Sequence, residues 1–330
     1  MIKYIYKALF VLGILCSGLN GYGRSNTEYI KAKHEFPVMG TWASFTFTFA
    51  PRKNPDLFAV AEKEFRTVCS LASVHDLQSE LNMLNSSAAD KPFRCSDRLY
   101  DLLLIARRAY YESNGAFDAT AKPLMDLWGF YRKKRQSVPD KAEIIKALDK
   151  VGFSKIKFND QEKSVFFTVK GMSLDLGGIA KGYAIDSAYN AVKSELYCGI
   201  IDLGGNLKVA NPPGVFSRVA IRHPLYAGKF DRILPVGNSA VSTSGGYEKF
   251  VVYNNKRYCH IIDPVSGNPA EGILAVTVLT PSAADSDWMS TAVFLRGKSL
   301  AEKLVKKYPA TTIYIYYELP ENSYRCEVIK

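Results

Sequence analysis

The feature that most limits the fold of this chain is the order of its periodic segments. Segments whose apolar residues alternate, as in a half-buried strand, and segments with helical apolar spacing follow one another without regular strand–helix alternation. A doubly wound parallel sheet needs that alternation, because each parallel connection requires a crossover. The sequence therefore predicts an α+β fold in which hairpins and helices are mixed.

The spacing of apolar residues assigns each periodic segment to a helix or a strand. Helices are predicted where apolar residues recur every three to four positions, and strands where they alternate or form short apolar runs between turn residues. The predicted helices cover 54–84, 96–113, 139–151, 183–196, 284–296 and 299–307, and the predicted strands cover 36–50, 156–160, 164–169, 172–176, 217–222, 232–236, 248–253, 274–279 and 311–317.

The N-terminus has the pattern of an export signal. Lys3 and Lys7 precede an apolar run over 8–16, which is followed by small and turn-forming residues over 17–23. The run is much shorter than the roughly 20 residues that a membrane-spanning helix needs. We therefore expect residues 1–23 to be a signal peptide and residues 24–330 to be the mature domain, exported to the periplasm.

Cys16 leaves an alternative open for the mature N-terminus. A lipid anchor at this cysteine would tether the protein to a membrane, but Leu15 stands where a lipoprotein signal usually has a small residue. Cys69 and Cys95 also allow two readings, since they flank a helical segment and could form a disulfide or remain buried thiols.

Composition and charge narrow the class of partner. The chain is 47% hydrophobic and 23% charged, which is typical of a folded globular protein. Its formal charge is +11, but lysines and arginines are spread along the chain and only residues 132–135 form a tight cluster. This distribution argues against a nucleic-acid partner, while anionic small ligands and association with a membrane surface fit it equally well.

A glycine-rich turn joins the predicted strand at 172–176 to the helix at 183–196. Gly177, Gly178 and Gly182 surround Lys181, an arrangement in which backbone N–H groups and a helix N-terminus can bind phosphate. The segment matches no standard phosphate-loop pattern, so a plain strand-to-helix turn is an equally valid reading of the segment alone.

Asp287 and Thr291 lie four residues apart at the start of a predicted helix, so that both face the same side. Magnesium prefers such hard oxygen ligands and often completes its shell with water and substrate phosphates. The alternative is that acidic residues here only cap the helix.

His260, one of four histidines, ends a strand before a turn that contains Pro264 and Gly267. It could act as a general base, donate a hydrogen bond to phosphate, or lie on the surface. The hydroxyl cluster at 242–244 beside Gly245 fits either a nucleotide contact or a simple turn, and so does the loop at 115–120. Gly40, after Met39, interrupts a predicted strand and permits either close approach of a ligand or only a bulge.

Taken in order, these segments resemble the ApbE family of FAD:protein FMN transferases across nearly the whole mature chain. Ser286 and Gly246 depart from the residues usual in that family. The segments that carry the resemblance are VMGT (38–41), SELNMLN (79–85), GAFDATAKPLMDLWGF (115–130), DLGGIAKGYAID (175–186), DLGGN (202–206), VSTSGGY (241–247), HIIDPVSGNP (260–269) and DWMSTAVF (287–294).

The resemblance implies a T-fold-like α+β enzyme of two intimately packed subdomains, with FAD in the cleft between them and Mg²⁺ on its pyrophosphate. By this resemblance the metal is held by Asp287, Thr291 and the main-chain carbonyl of Ala180. The residues implied in catalysis are His260, Lys181 and Asp263, and those implied in binding the flavin nucleotide are Met39, Asp118, Thr120, Gly178, Lys181, Ser244 and His260.

The implied reaction transfers FMN from FAD to a Ser or Thr hydroxyl of an exported flavoprotein with a D-G-x-T-G-A-[ST]-like segment, and releases AMP. Two alternatives use the same residues. The first is an FAD pyrophosphatase, in which water replaces the acceptor hydroxyl. The second is a periplasmic flavin-binding protein without turnover, which the presence of Asp287, Thr291 and Lys181 argues against.

Overall fold

The computed structural model of the chain describes residues 28–51, 56–131 and 135–330. The predicted signal segment 1–23, including Cys16, and most of the basic cluster at 132–135 lie outside the described residues. Within the described ranges, no helix has both the length and the apolar character needed to cross a membrane.

Helices and strands are mixed along the chain, as the periodicity predicts. The helices are α1 (Leu57–Ala72), α2 (Glu80–Ser87), α3 (Asp97–Glu112), α4 (Lys122–Leu127), α5 (Lys141–Leu148), α6 (Ala180–Val192), α7 (Ala283–Arg296) and α8 (Lys298–Lys307). The strands are β1 (Ile30–Val38), β2 (Thr41–Phe49), β3 (Phe93–Arg94), β4 (Ile156–Asn159), β5 (Ser164–Phe167), β6 (Leu196–Leu203), β7 (Asn206–Ala210), β8 (Ser217–Arg222), β9 (Phe230–Val236), β10 (Ser239–Gly245), β11 (Phe250–Tyr253), β12 (Lys256–Cys259), β13 (Ile273–Thr280), β14 (Thr312–Leu319) and β15 (Ser323–Ile329).

One eight-stranded sheet forms the centre of the molecule, in the order β1-β2-β6-β7-β10-β13-β14-β15. Every neighbouring pair in it is antiparallel. Three small sheets accompany it, formed by β3-β5-β4, β8-β9 and β11-β12. This topology confirms the α+β prediction and excludes a doubly wound parallel sheet.

The main core lies between one face of this sheet and the helices. Phe45, Val276 and Ile315 of the sheet belong to the same buried cluster as residues of α1, α6, α7 and α8. Cys95 is a free thiol in this cluster and Cys69 is a free thiol packed against it, so the alternative without a disulfide is the one observed. The opposite face of the sheet is covered at its centre by the β8-β9 hairpin.

The predicted single strand at 36–50 is wrong, because it is a hairpin. β1 and β2 pair with Val38 opposite Thr41, and Met39 and Gly40 form the two-residue turn. Both turn residues have positive φ angles, +51° and +72°, as a type I′ turn requires. Met39 therefore occupies a backbone region that a methionine adopts only rarely.

Two further predicted elements differ from the structure. The helical segment at 54–84 contains two helices, because α1 ends at Ala72 and Ser79 caps α2. The predicted strand at 172–176 is not formed, and these residues pair with no strand in the part of the chain that the structure describes. The side chain of Asn85 instead bonds both backbone groups of Leu174, accepting from its N–H at 2.7 Å and donating to its carbonyl at 2.9 Å.

Most other boundaries agree within a few residues. β8 covers the predicted 217–222, and α7 and α8 each begin one residue before their predicted starts. α6 begins three residues earlier than predicted and ends four residues earlier. Residues 242–245 belong to strand β10 and do not form a turn, and the predicted ligand contact of Ser244 stays a prediction. Strand β10 is a central strand of the sheet, and its register brings Gly245 opposite Ala275 of β13.

Candidate functional site

The candidate site lies at one end of the central sheet, where several strands begin or end. Ala43 of β2 pairs with Leu203 at the end of β6, and Leu203 pairs with Asn206 at the start of β7. The Met39 turn, the glycine pair that follows Leu203 and the C-terminal end of β10 therefore share this end of the sheet.

The start of α6 reaches the site through a glycine-rich turn. Asp175 holds the turn, since its side chain accepts from Gly177 N–H at 2.8 Å and from the Tyr131 hydroxyl. Ala180 is the first residue of α6, and no side chain caps the helix from the preceding position. The Gly182 N–H instead donates to the carboxylate of Asp287 on α7, at 3.0 Å.

Asp287 is a buried carboxylate without a salt bridge in the described residues. Its side chain is shielded by neighbours of α6 and β7, and the residue is 5% exposed. One oxygen accepts from Gly182 and the other from the Asn206 side-chain amide at 2.8 Å. Burial raises the pKa of Asp287, and the nearby positive charge of Lys181 opposes that rise. A buried anion in this environment gains from any cation that binds to it.

Thr291 follows Asp287 by one helical turn and faces the glycine-rich turn. Ser244 of β10 lies 3.2 Å from the Thr291 hydroxyl and 2.8 Å from the Ser290 hydroxyl, measured between oxygens. A Cβ atom added to Gly178 would lie 3.7 Å from Thr291 Oγ1 and 3.0 Å from the Phe117 ring. Gly178 therefore packs closely against Phe117 next to Thr291, where a larger residue would have to displace the Phe117 ring.

His260 is held as a neutral imidazole. Its Nδ1 lies 3.2 Å from the Lys249 carbonyl oxygen, an acceptor only, so Nδ1 carries the proton and Nε2 has a free lone pair. Burial, together with the positive charge of Lys249, lowers the pKa of His260 to about 4. His260 is therefore unprotonated at neutral pH and can accept a proton at Nε2.

Lys181 provides a positive charge that acts on several titratable groups of the site. Its charge acts on Asp287 and His260, two of the predicted site residues, and also on Asp202 and Glu248. Burial raises the pKa of Asp202 to about 6. The structure thus brings together Lys181, His260 and Asp287, which are distant in sequence.

Asp118 and Thr120 hold a loop together through hydrogen bonds within the protein. Asp118 accepts from the Thr120 hydroxyl at 2.6 Å and from the Phe153 N–H at 3.2 Å. The Thr120 hydroxyl accepts from Gly152 N–H at 2.7 Å, and its side chain is fully buried. Their predicted contact with the flavin nucleotide stays a prediction, and the bonds observed shape the loop that carries Phe117.

The carboxylate of Asp263 accepts hydrogen bonds from an arginine side chain and from a backbone N–H of its own loop. It accepts from Arg296 Nη2 at 2.8 Å and from Val265 N–H at 3.0 Å, and the described residues give it no hydrogen bond to His260. A catalytic role of Asp263 stays a prediction, and the mechanism proposed below does not require one.

Several residues of the site are not singled out by the sequence. Asn206 orients Asp287, Glu248 lies next to the lysine that holds His260, and Asp186 bonds the start of α7. Asn206 is the last residue of the DLGGN motif, and Asp186 is the last residue of the DLGGIAKGYAID motif. Their membership of these motifs is the one sequence signal that could have identified them. Ser286 is buried and donates to the Ala283 carbonyl oxygen at 2.9 Å, with the Ser242 hydroxyl 2.7 Å away.

The oxygen ligands at the site fit a hard divalent cation better than a transition metal. The described residues contain no cluster of three or more histidine, cysteine or acidic side chains that could hold a metal. Asp287 and Thr291 instead offer one carboxylate and one hydroxyl on the same helical face, next to the first turn of α6, where Ala180 has its carbonyl. Magnesium is commonly bound by one or two carboxylates together with water and substrate phosphates.

Comparison with known proteins shows the family to which the chain is related. The sequence model of the ApbE family matches residues 39–315. A protein of Treponema pallidum named FAD:protein FMN transferase is 30% identical over 320 residues, which cover 90% of this chain and 86% of that protein. A protein of the same name from Salmonella typhimurium is 29% identical over 245 residues, covering 72% of this chain and 70% of its own.

A solved structure gives the same result for the fold. The crystal structure of the ApbE protein from Thermotoga maritima superimposes with a TM-score of 0.79 at 27% identity, and the match covers 90% of this chain and 96% of that one. Since the family model extends from the Met39 turn to β14 and so includes every residue of the site described above, this chain belongs to the ApbE family.

Proposed function

We propose that this protein is a Mg²⁺-dependent FAD:protein FMN transferase, which moves FMN from FAD to a Ser or Thr hydroxyl of an acceptor protein and releases AMP. The relatives carry that name. The observation that carries the proposal is the placement of buried Asp287, beside Thr291, within range of the Lys181 charge and at the start of α6. This arrangement suits a pyrophosphate bound together with a cation.

Asp287, Thr291 and the Ala180 carbonyl would hold Mg²⁺, in keeping with their oxygen chemistry. When bound, the ion would neutralise negative charge on the pyrophosphate and thereby make its phosphorus a better electrophile. Lys181, the second residue of α6, would add a second positive charge near the pyrophosphate.

His260 is proposed to accept the proton of the acceptor hydroxyl. The acceptor oxygen then forms a bond to the FMN phosphorus, and the bond between that phosphorus and the oxygen of the AMP phosphate breaks. AMP leaves with the electron pair, and the proton stays on His260 Nε2. The negative charge of a bound pyrophosphate would raise the pKa of His260, because an adjacent anion stabilises the imidazolium ion.

The proposal is tested by incubating the mature protein with FAD, Mg²⁺ and a carrier protein to which a D-G-x-T-G-A-T segment has been fused. Transfer is read as flavin fluorescence of the carrier band on a denaturing gel, and AMP is measured in the same sample. Two controls are matched to the reaction: a carrier in which the last Thr of the segment is Ala, and the Asp287→Ala enzyme.

We expect a fluorescent carrier band and an equal amount of AMP only with the Thr carrier and the unmodified enzyme. Release of free FMN and AMP at the same rate with either carrier, with no fluorescent band, would replace the transferase by a pyrophosphatase. Absence of both products, with FAD still bound, would leave a flavin-binding protein.

We also propose that the protein acts outside the cytoplasm on an exported acceptor, because of the signal pattern at 1–23. Cell fractionation of the full chain tests this localisation. Recovery of the uncleaved chain in the cytoplasm would refute it, and recovery of a detergent-soluble form that a Cys16→Ser variant lacks would identify the lipid anchor.

A further inference from the structure

Asp186 connects the two helices on which the proposed chemistry depends. It lies four residues after Gly182 on α6, so both residues face the same side of that helix, toward α7. One carboxylate oxygen accepts from Ala283 N–H at 2.9 Å. The other accepts from Ala284 N–H at 3.0 Å and from the Ser282 hydroxyl at 2.8 Å. The carboxylate thus caps the N-terminus of a helix about 100 residues further along the chain.

This cap differs from those of the other helices. Helix α1 is capped by Asp56, the residue directly before it, which accepts from Phe58 N–H at 3.0 Å and Ala59 N–H at 3.2 Å. Helix α7 also has such a local cap, because Ser282 accepts from Asp285 N–H at 3.1 Å. Asp186 therefore supplies something that Ser282 alone does not, namely a fixed position of α7 relative to α6.

The packing between the two helices leaves little room for another arrangement. A Cβ atom on Gly182 would lie 2.2 Å from the Ala283 carbonyl oxygen, so the backbones of α6 and α7 are in direct contact there. The buried Lys208 of β7 also donates to the Pro281 carbonyl oxygen at 2.6 Å, just before α7. The start of α7 is thus held by both Asp186 and Lys208, and Asp287 follows one turn later.

We infer that Asp186 is a positioning residue for the metal site: its carboxylate fixes the start of α7 so that Asp287 and Thr291 face the first turn of α6. This inference rests on the proposed function, because it assigns the geometry of the proposed Mg²⁺ ligands to a residue that does not touch the ion. Residues that orient metal ligands in this way typically change metal affinity by about 10- to 100-fold when replaced.

The test measures Mg²⁺ binding without turnover. Thermal unfolding of the full mature protein is followed in the presence of FAD while Mg²⁺ is titrated, and the Mg²⁺ concentration at half of the maximal rise in Tm is recorded. The variants are Asp186→Asn, which keeps the shape and one acceptor oxygen and is expected to fold, and Asp186→Ala, which removes both acceptors.

Asp56→Asn is the matched control, since it also weakens a carboxylate cap of a helix. Phe58, next to this cap, stacks on Phe47 near the end of β2. Thr41, at the start of that strand, lies at the candidate site. The Asp56 cap and the candidate site are therefore about 20 Å apart along the sheet. The control thus reports what the loss of a helix cap does to Tm alone.

We expect the Mg²⁺ midpoint to rise about tenfold or more in Asp186→Asn and to stay unchanged in Asp56→Asn, even where both variants lose similar Tm without Mg²⁺. A midpoint in Asp186→Asn equal to that of the unmodified protein would overturn the inference and leave the proposed function intact. If Mg²⁺ does not shift the Tm of the unmodified protein with FAD, the metal assignment fails and this inference fails with it.

Discussion

Replacing Gly182 by alanine tests whether the contact between α6 and α7 sets the geometry of the site. The new methyl carbon would lie 2.2 Å from the Ala283 carbonyl oxygen and 2.7 Å from Ala284 Cα. Both are backbone atoms that no rotamer change can move away. Since van der Waals contact requires about 3.5 Å, the two helices must separate by roughly 1 Å.

Two opposing effects determine the stability of this variant. Overpacking of this kind costs about 1–3 kcal/mol and occasionally more, and a backbone clash places it at the upper end. Alanine stabilises a helix interior by about 1 kcal/mol relative to glycine. The clash is the larger effect, so we expect a net loss of about 2 kcal/mol in the free energy of unfolding, or roughly 3 °C in Tm for a domain of this length.

The effect on the reaction is expected to be larger than the effect on stability. A separation of roughly 1 Å lengthens the 3.0 Å bond from Gly182 N–H to Asp287 beyond hydrogen-bonding distance and shifts Lys181 away from the carboxylate. Misplacement of this size costs about 100-fold in rate. The assay is FAD turnover at saturating Mg²⁺, with unfolding followed in parallel by circular dichroism.

Gly237→Ala is the matched control, because its added Cβ would meet its nearest neighbour, the Phe216 ring, at an ordinary 3.6 Å. We expect this variant to keep its turnover and Tm. The reasoning would be refuted if Gly182→Ala had a Tm equal to or above that of the unmodified protein and retained turnover within threefold.

Three further predictions concern single groups of the site. Asp287→Ala should nearly abolish Mg²⁺-dependent turnover while circular dichroism shows an intact fold. Asp285→Asn, which keeps an oxygen that can accept from Arg108 and Trp288 but removes the negative charge, should keep that turnover. Equal activity of the two variants would contradict the metal assignment. His260→Ala should bind FAD almost normally in a fluorescence titration and lose about 100-fold in rate, and a collapse of FAD binding would instead place His260 in the pocket. The pKa of His260 is lowered from 6.5 to about 4, so the imidazole is neutral above about pH 4. We therefore expect kcat/KM to stay high as the pH falls through 6.5 and to decline only near pH 4. A half-maximal kcat/KM at pH 6.5 would show that burial does not lower the pKa of this imidazole.

Elements with clear apolar periodicity are predictable from the sequence, whereas those defined by tertiary contacts are not. Helix α7 is predicted within one residue, because Ser282 before it and Gly297 after it are local signals for its two ends. The turn at Met39 is missed, since two-residue hairpin turns usually contain Asn-Gly or Asp-Gly and methionine seldom has a positive φ. The break between α1 and α2 is missed because neither glycine nor proline marks it.

The polar strand β10 shows why a buried strand can escape prediction. Its residues Ser242 and Ser244 face α7, where the hydroxyls of Ser286 and Ser290 satisfy them. A buried hydroxyl is acceptable only with such a partner, and the partner lies more than 40 residues away in sequence. Taken alone, the serine- and threonine-rich sequence of this strand therefore resembles that of a turn.

The residues of the candidate site are also brought together by contacts between distant segments. The order of motifs identifies Asp287, Thr291 and Lys181, because each stands at a characteristic position within its motif. Their convergence depends on contacts between α6 and α7, such as the bond from Gly182 to Asp287, which spans 105 residues. The role of Asp186 follows only when both helices are placed, so periodicity cannot reveal it.

The separation of α6 and α7 along the chain also sets the order in which a newly made protein can acquire its site. At about 5–20 residues per second, a ribosome needs roughly 5–20 s to add the 105 residues between Gly182 and Asp287. During that interval the glycine-rich turn has emerged, but the carboxylate that completes it does not yet exist. The proposed binding of the flavin nucleotide at this site would therefore begin only after almost the whole chain has been synthesised, and a truncated product that stops before Thr291 would lack part of the proposed site.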